Sequence, residues 1–271
     1  MPELPVSEPA VTAELAVTAE PAVTAEPAVT AEPAVTAEPA LTAEPAVASA
    51  APSPGPSWPA PLARSPIAPA GPVTVVAGWQ VSAVRAASPD LTLTDCTPLA
   101  KVALKYSLTG RHAEVCGVRF GRAARDPAGT LVVGSGPGEW LLIGPVGQAS
   151  ALTAGLVQLV GSDARDSGAT WVDLTHGRAL IRLTGNRSAG VLAKLSAIDL
   201  SDDLVPDGAA LRTAVAAVAT DVIRDDLDGI RSYLLHCERS VGQYLFDVAL
   251  RAGAEFGIEV DGFRLPGPAP G

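Results

Sequence analysis

Cysteine, basic residues and long apolar runs are all scarce in this 271-residue chain, and each shortage excludes something. The three cysteines, Cys96, Cys116 and Cys237, are odd in number, far apart and outside any Cys-x-x-Cys spacing. Neither a disulfide framework nor a zinc knuckle follows from them, and they read as isolated thiols packed as small apolar groups in a reducing cytoplasm. Lys and Arg number 19 against 29 Asp and Glu, a net charge of −10, with no basic cluster. The electrostatic footprint that a phosphate backbone selects is missing, so nucleic acid is not expected as a partner. No stretch approaches the roughly 18 apolar residues of a membrane span, and Met1 to Ser7 place no positive charge ahead of a hydrophobic run. The chain therefore reads as neither membrane-spanning nor secreted.

What is present is unevenly spread. Residues 1–72 hold sixteen of the 25 prolines and eight of the 29 acidic residues but only one basic residue, Arg64. Residues 8–47 repeat the hexad Glu-Pro-Ala-Val-Thr-Ala, with glutamates from Glu8 through Glu26 to Glu44. Proline at this density removes backbone donors and disfavours helix, and one Val per hexad buries too little surface to offset chain entropy. A disordered acidic tail is expected over residues 1–72, continued from residue 48 as a Pro/Ala/Ser linker in which Trp58 alone has the character of a docking residue. Residues 73–271 are close to neutral, rich in Ala, Val and Leu, and long enough for one hydrophobic core.

Within that second part, Leu131 to Val133 and Glu139 to Ile143 flank Gly134 to Gly138 and predict a hairpin. Ser150 to Val160 carries apolar residues at helical spacing before Gly161. Thr170 to Leu174 and Arg178 to Leu183 are strand-like, and in the second Ala179, Ile181 and Leu183 form the one face expected to be buried. A helix over Ser188 to Leu195 follows, then strands over Leu211 to Val218 and Ile230 to Cys237, joined by a solvated turn at Asp225 to Gly229. Ser240 and Gln243 have the spacing of a capping box that starts a last helix, whose stripe runs through Val241, Tyr244, Leu245, Val248, Ala249, Ala252 and Phe256 to a stop at Gly257. Helices mixed with antiparallel hairpins predict an α+β fold with packed helices and not a doubly wound parallel sheet.

Chemistry-bearing patterns are sparse. His112, His176 and His236 sit in no recognisable catalytic frame. No Gly lies two residues before Ser135, as the Gly-x-Ser-x-Gly of an esterase elbow requires, and the surrounding glycines are followed by neither Gly-Lys-Ser/Thr nor the last Gly of a dinucleotide fingerprint. Asp225, Asp226 and Asp228 lack the terminal Glu of a calcium loop. No catalytic, cofactor-binding or metal-ligating residue is assigned.

Several motifs taken together carry a resemblance. Gly136-Pro137-Gly138-Glu139-Trp140-Leu141-Leu142, Asp173-Leu174-Thr175-His176-Gly177-Arg178, Leu183-Thr184-Gly185, Val191-Leu192-Ala193-Lys194-Leu195, Arg212-Thr213, Arg239-Ser240 and Glu255-Phe256-Gly257 follow one another over about residues 135–260. In that order they resemble the gamma subunit of heterotetrameric sarcosine oxidase and, more distantly, the folate-binding domain of the glycine-cleavage T-protein. The resemblance implies a T-protein-like folate-binding fold and a non-catalytic subunit of a complex that oxidatively demethylates sarcosine to glycine and passes the one-carbon unit to tetrahydrofolate. FAD, FMN, NAD and tetrahydrofolate would then belong to the partner subunits, alpha, beta and delta. The T-protein pattern of Gly-Gly followed by an Asp pair is replaced here by Ala214 to Ala219, with Asp221 beyond it, and an alanine neither transfers a proton nor holds a folate amine. Two alternatives are a free-standing folate-dependent one-carbon protein and a folate-fold scaffold. At the centre of a subunit interface Trp, Tyr and Arg are favoured, which makes Trp140, Arg178, Arg239 and Tyr244 the candidate contacts.

Overall fold

The computed structural model describes residues 61–106, 116–160 and 168–265. The hexad repeat, Trp58 and His112 lie outside these residues. In chain order the strands are β1 (Ala63–Arg64), β2 (Val73–Val76), β3 (Trp79–Ser82), β4 (Leu91–Asp95), β5 (Ala100–Lys105), β6 (Ala123–Arg125), β7 (Leu131–Gly136) and β8 (Glu139–Gly144). Helix α1 (Ala149–Val160) leads to β9 (Thr170–Asp173) and β10 (Arg178–Gly185), and α2 (Ser188–Ala193) to β11 (Ala210–Val215), β12 (Val218–Arg224) and β13 (Ser232–Glu238). A 3-10 turn (Arg239–Val241), α3 (Gly242–Gly253), a second 3-10 turn (Ala254–Phe256) and β14 (Glu259–Val260) complete the order. The α+β class is as expected.

Two sheets stack between helices. The six-stranded sheet runs β11-β12-β13-β10-β4-β14 and the five-stranded sheet β6-β7-β8-β5-β9. Period-2 alternation sends successive side chains of each strand into different layers. On the outer face of the six-stranded sheet, Ala179, Ile181, Leu183, Tyr233 and Leu235 pack with Val191 and Leu192 of α2 and Leu245, Phe246 and Ala249 of α3. On its inner face, Leu180, Ile223 and Leu234 meet Leu131, Val133, Leu141 and Ile143 of the other sheet. The far face of that sheet packs Val102, Leu104, Trp140 and Leu142 on Leu156 and Val160 of α1. The result is a four-layer α/β/β/α sandwich, and β10 is buried on both faces where one was expected. A strand between two covering layers has no solvent face.

Other expectations shift in register. Leu211 to Val218 is two strands, because Ala216 and Ala217 adopt φ of 49° and 64° and turn the chain back as β12. Two consecutive positive φ values give the primed turn that matches strand twist. The turn at Asp225 to Gly229 is solvated at its tip, where Leu227, Asp228 and Gly229 are exposed, but Asp225 at its start is buried, with Oδ2 accepting from Arg125 at 2.7 Å and from Arg182 at 2.6 Å. The glycines between β7 and β8 divide their work. Gly138 has φ 69° for the tight turn, whereas a Cβ on Gly134 would stand 2.2 Å from the Arg119 carbonyl oxygen.

The capping box does not form. Helix α3 starts at Gly242 behind a 3-10 turn, without a side-chain cap. Gln243 instead accepts from the Ala68 amide at 2.6 Å and donates to Asp247 at 2.8 Å. That contact belongs to a larger difference, since structure begins before Val73. β1 pairs in parallel with β3, Ile67 is 2 % exposed within the outer core, and Arg239 donates to the Arg64 carbonyl at 2.8 Å. Ile67 and Ala63 supply the apolar contacts that the Pro/Ala-rich composition of this stretch conceals.

Candidate functional site

The inner core is apolar only over part of its length. Alternation along β10, β12 and β13 carries the same face from Leu180, Ile223 and Leu234 to Arg178, Asp221, Ala219, His236 and Glu238. Register places Arg212, Asp221 and His236 side by side on β11, β12 and β13. Across the gap the five-stranded sheet presents Ala103, Lys105, Glu139 and Val172. With alanine at 103 and 219, the layers do not fill the space between them, and a cavity of about 490 Å³ opens. That volume suits a small organic molecule.

The polar floor is ordered by hydrogen bonds. Arg212 Nε donates to Asp221 Oδ1 at 2.6 Å, and His236 Nδ1 lies 2.9 Å from Asp221 Oδ2. Burial pushes the Asp221 carboxyl upward, but the bonds from His236 and Arg212 outweigh it and hold the group below its ordinary value of 3.8. It is ionised, so His236 donates through Nδ1 and leaves Nε2 as a lone-pair acceptor. Burial lowers the pKa of His236 from 6.5 against the pull of Asp221, with Lys101 and Arg178 adding to the lowering. The imidazole is neutral at neutral pH. Its Nε2 is buried and has no hydrogen-bond partner among the described residues. At the rim, Arg178 pairs with Glu238 at 2.5 Å and Lys105 with Glu139 at 3.0 Å.

Beside this floor, Lys101 is fully buried and donates to the Thr97 and Leu99 carbonyls at 2.7 and 2.8 Å. Desolvation lowers its pKa to about 8, and it pins the turn entering β5. The thiols of Cys96, Cys116 and Cys237 are free and pushed up to about 11 by burial, which makes them poor nucleophiles. No group of His, Cys, Asp and Glu among the described residues has the geometry to hold a metal ion. No described helix is long and apolar enough to cross a membrane.

The four candidate contacts separate. Trp140 is 3 % exposed, and its indole N–H donates to the Val118 carbonyl at 2.7 Å, so it is a core residue with little surface to offer. Arg178 lines the cavity rim. Arg239 fastens the α3 approach to the Arg64 and His176 carbonyls. Tyr244 is 49 % exposed, outside the buried stripe expected for it, with its hydroxyl donating to the Ala216 carbonyl at 3.3 Å. His176 stacks on Trp79 at 4.8 Å. No local motif marks Asp221 and His236, because each stands alone in the linear sequence and only strand register joins them.

Comparison with known proteins agrees with this architecture. No curated protein sequence matches the chain. A chain of the heterotetrameric sarcosine oxidase from Corynebacterium sp. U-96, solved with pyrrole 2-carboxylate, superposes with a TM-score of 0.53 at 24 % identity, covering 64 % of this chain and 88 % of that one. The glycine cleavage system aminomethyltransferase T from Bartonella henselae gives a TM-score of 0.54 at 15 % identity over 70 % of this chain and 55 % of that one, so this chain spans about half of that protein. Both share the fold. Residues 127–255, from the β7–β8 hairpin through α3, match the sarcosine oxidase, gamma subunit family, and the resemblance read from the ordered motifs is thereby shown in sequence and in fold.

Proposed function

We propose that this chain is a non-catalytic, gamma-like subunit of a cytoplasmic sarcosine oxidase complex, in which the flavins, NAD and tetrahydrofolate are bound by the other subunits. The observation that carries the reading is the family match across residues 127–255, supported by the likeness in fold to a chain of a heterotetrameric sarcosine oxidase. The site chemistry supports it too. The thiols are held protonated, Ser135 bonds to the Glu139 carbonyl at 3.3 Å and to no histidine, and every rim carboxylate is tied to a cation. An arrangement so paired binds or packs more readily than it transfers a group. The alpha, beta and delta chains are the proposed partners.

Reconstitution tests the proposal. Flavin-bearing large subunits expressed with and without this chain should differ, with sarcosine-dependent electron transfer or assembly requiring it. Equal activity and equal assembly without it would overturn the reading. A free-standing one-carbon enzyme would instead form methylene-tetrahydrofolate from tetrahydrofolate and an aminomethyl donor when supplied alone, a turnover the subunit reading predicts to be absent.

A further inference from the structure

We infer that a second inter-sheet cavity, at the Arg182 end of β10 and away from the Asp221 row, binds a small monocarboxylate carried on an apolar ring, with Arg125 taking the carboxylate. The inference concerns the chain by itself and stands apart from its membership of a complex. This cavity measures about 470 Å³, in the range of small-molecule sites. Strand register builds it. Arg182 shares the inner face with Leu180 and lies between Thr94 and Leu234, while Arg125 is in row with Leu131 and Ile143 on the facing sheet. The two guanidiniums therefore approach from opposite layers, and both arginines line the cavity.

Charge sets the sign of the ligand. Both arginines donate to the same oxygen, Asp225 Oδ2, at 2.7 and 2.6 Å, so one carboxylate is set against two cations. Arg182 is the better matched of the two. Its Nη1 also donates to the Asp225 carbonyl at 3.1 Å and to Ser232 Oγ at 2.8 Å, and its side chain is 12 % exposed. The Arg125 side chain is 47 % exposed; it commits Nη2 to Asp225 and Nη1 to the Gly129 carbonyl, and its Nε meets no acceptor among the described residues. The other charged residues on the lining, Arg264 and Asp261, pair with each other at 2.8 Å. One positive charge is left over, on the more accessible arginine. A single carboxylate balances it and matches the guanidinium fork, a dianion overshoots it and a cation is repelled. The rest of the lining asks for an apolar body. Leu131, Ile143, Leu234 and Phe263 form the wall, and Leu227 and Leu265 stand at the mouth, 37 % and 50 % exposed. A ring seated among them removes that apolar surface from water.

The probe is 2-naphthoate and its control 2-naphthamide, since the two share a shape and differ in charge; acetate supplies the charge without the ring. Calorimetric titration of the full-length chain should give a Kd below about 1 mM for 2-naphthoate. Both 2-naphthamide and acetate should bind more weakly by roughly tenfold or more. Arg125→Gln removes the surplus charge and should bring the acid down to the affinity of the amide. Leu227→Asp, a change at the exposed mouth, should weaken the acid more than the amide, because it sets a like charge beside the carboxylate. Thermal melts establish that each variant is folded, and Leu227→Asp decides alone if Arg125→Gln is not. Failure of 2-naphthoate to bind, an amide or acetate that binds as tightly, or an acid affinity unchanged in the folded variants would each overturn the inference.

Discussion

Burial holds His236 neutral, and this makes it a source of acid sensitivity. Its pKa in the folded chain lies below 6.5, so as pH falls through 6.5 the unfolded state takes up a proton that the folded state resists. Stability from this residue is present above 6.5 and declines as pH drops toward the folded value. Asp221, also lowered, adds a loss in the same direction below 3.8. Denaturant unfolding between pH 8 and 5 should therefore show a steeper decline for the unaltered chain than for His236→Gln; parallel curves would contradict it. Asp225 is the other residue on which much depends. Its carboxylate is shared by Arg125 and Arg182, and the Arg182 side chain is only 12 % exposed. Removing one member of a buried pair strands the other, at a cost of about 3 kcal/mol or more. Asp225→Ala should lower the melting temperature by roughly 10 °C in calorimetry.

At the level of elements, the β11–β12 turn is a local conflict between sequence and conformation. Ala216 and Ala217 occupy left-handed backbone that costs an L-residue with a Cβ roughly 1 kcal/mol, and glycine little. Ala216→Asn combined with Ala217→Gly should raise the unfolding free energy by about 1 kcal/mol, and an unchanged or lower value in urea unfolding would contradict the turn. The same pair explains what was legible in the sequence. An Ala-Ala turn carries none of the Gly, Asn or Asp signals that mark hairpins, so β11 and β12 merge into one apparent strand. The Asp228-Gly229 turn does carry that signal, and residues equidistant from it pair across β12 and β13, which brings Asp221 opposite His236. Half of the polar row was therefore within reach of counting, and the other half was hidden by Ala216-Ala217. The capping box failed for a different reason: Gln243 is drawn to the Ala68 amide by a segment 175 residues away in sequence, which no local pattern records. The β7–β8 hairpin, α1 and the Gly257 stop depend on neighbours in sequence, and they stand where periodicity and glycine place them.

At the scale of the whole molecule, β10 shows why layer count is harder to read than strand position. Arg178, Leu180 and Arg182 alternate as a solvent face would, yet Arg178 borders the cavity, Leu180 enters the inner core and Arg182 is neutralised by Asp225. The second sheet that covers them comes from a distant part of the chain. The N-terminal limit of the folded unit yields a further test. Deleting residues 1–60 should leave the melting temperature unchanged, because the hexads supply no apolar periodicity. Deleting residues 1–68 also removes β1 and Ile67 and should lower it by several degrees; equal melting temperatures would show that the β1 contacts add nothing. The placement of the chain in a sarcosine-oxidising assembly is tested most directly by the native mass of the protein purified from its own cells through a tag on this chain. The account predicts a hetero-oligomer well above the 27.4 kDa of the chain, carrying flavin absorbance. A flavin-free species at the mass of the chain alone would contradict it.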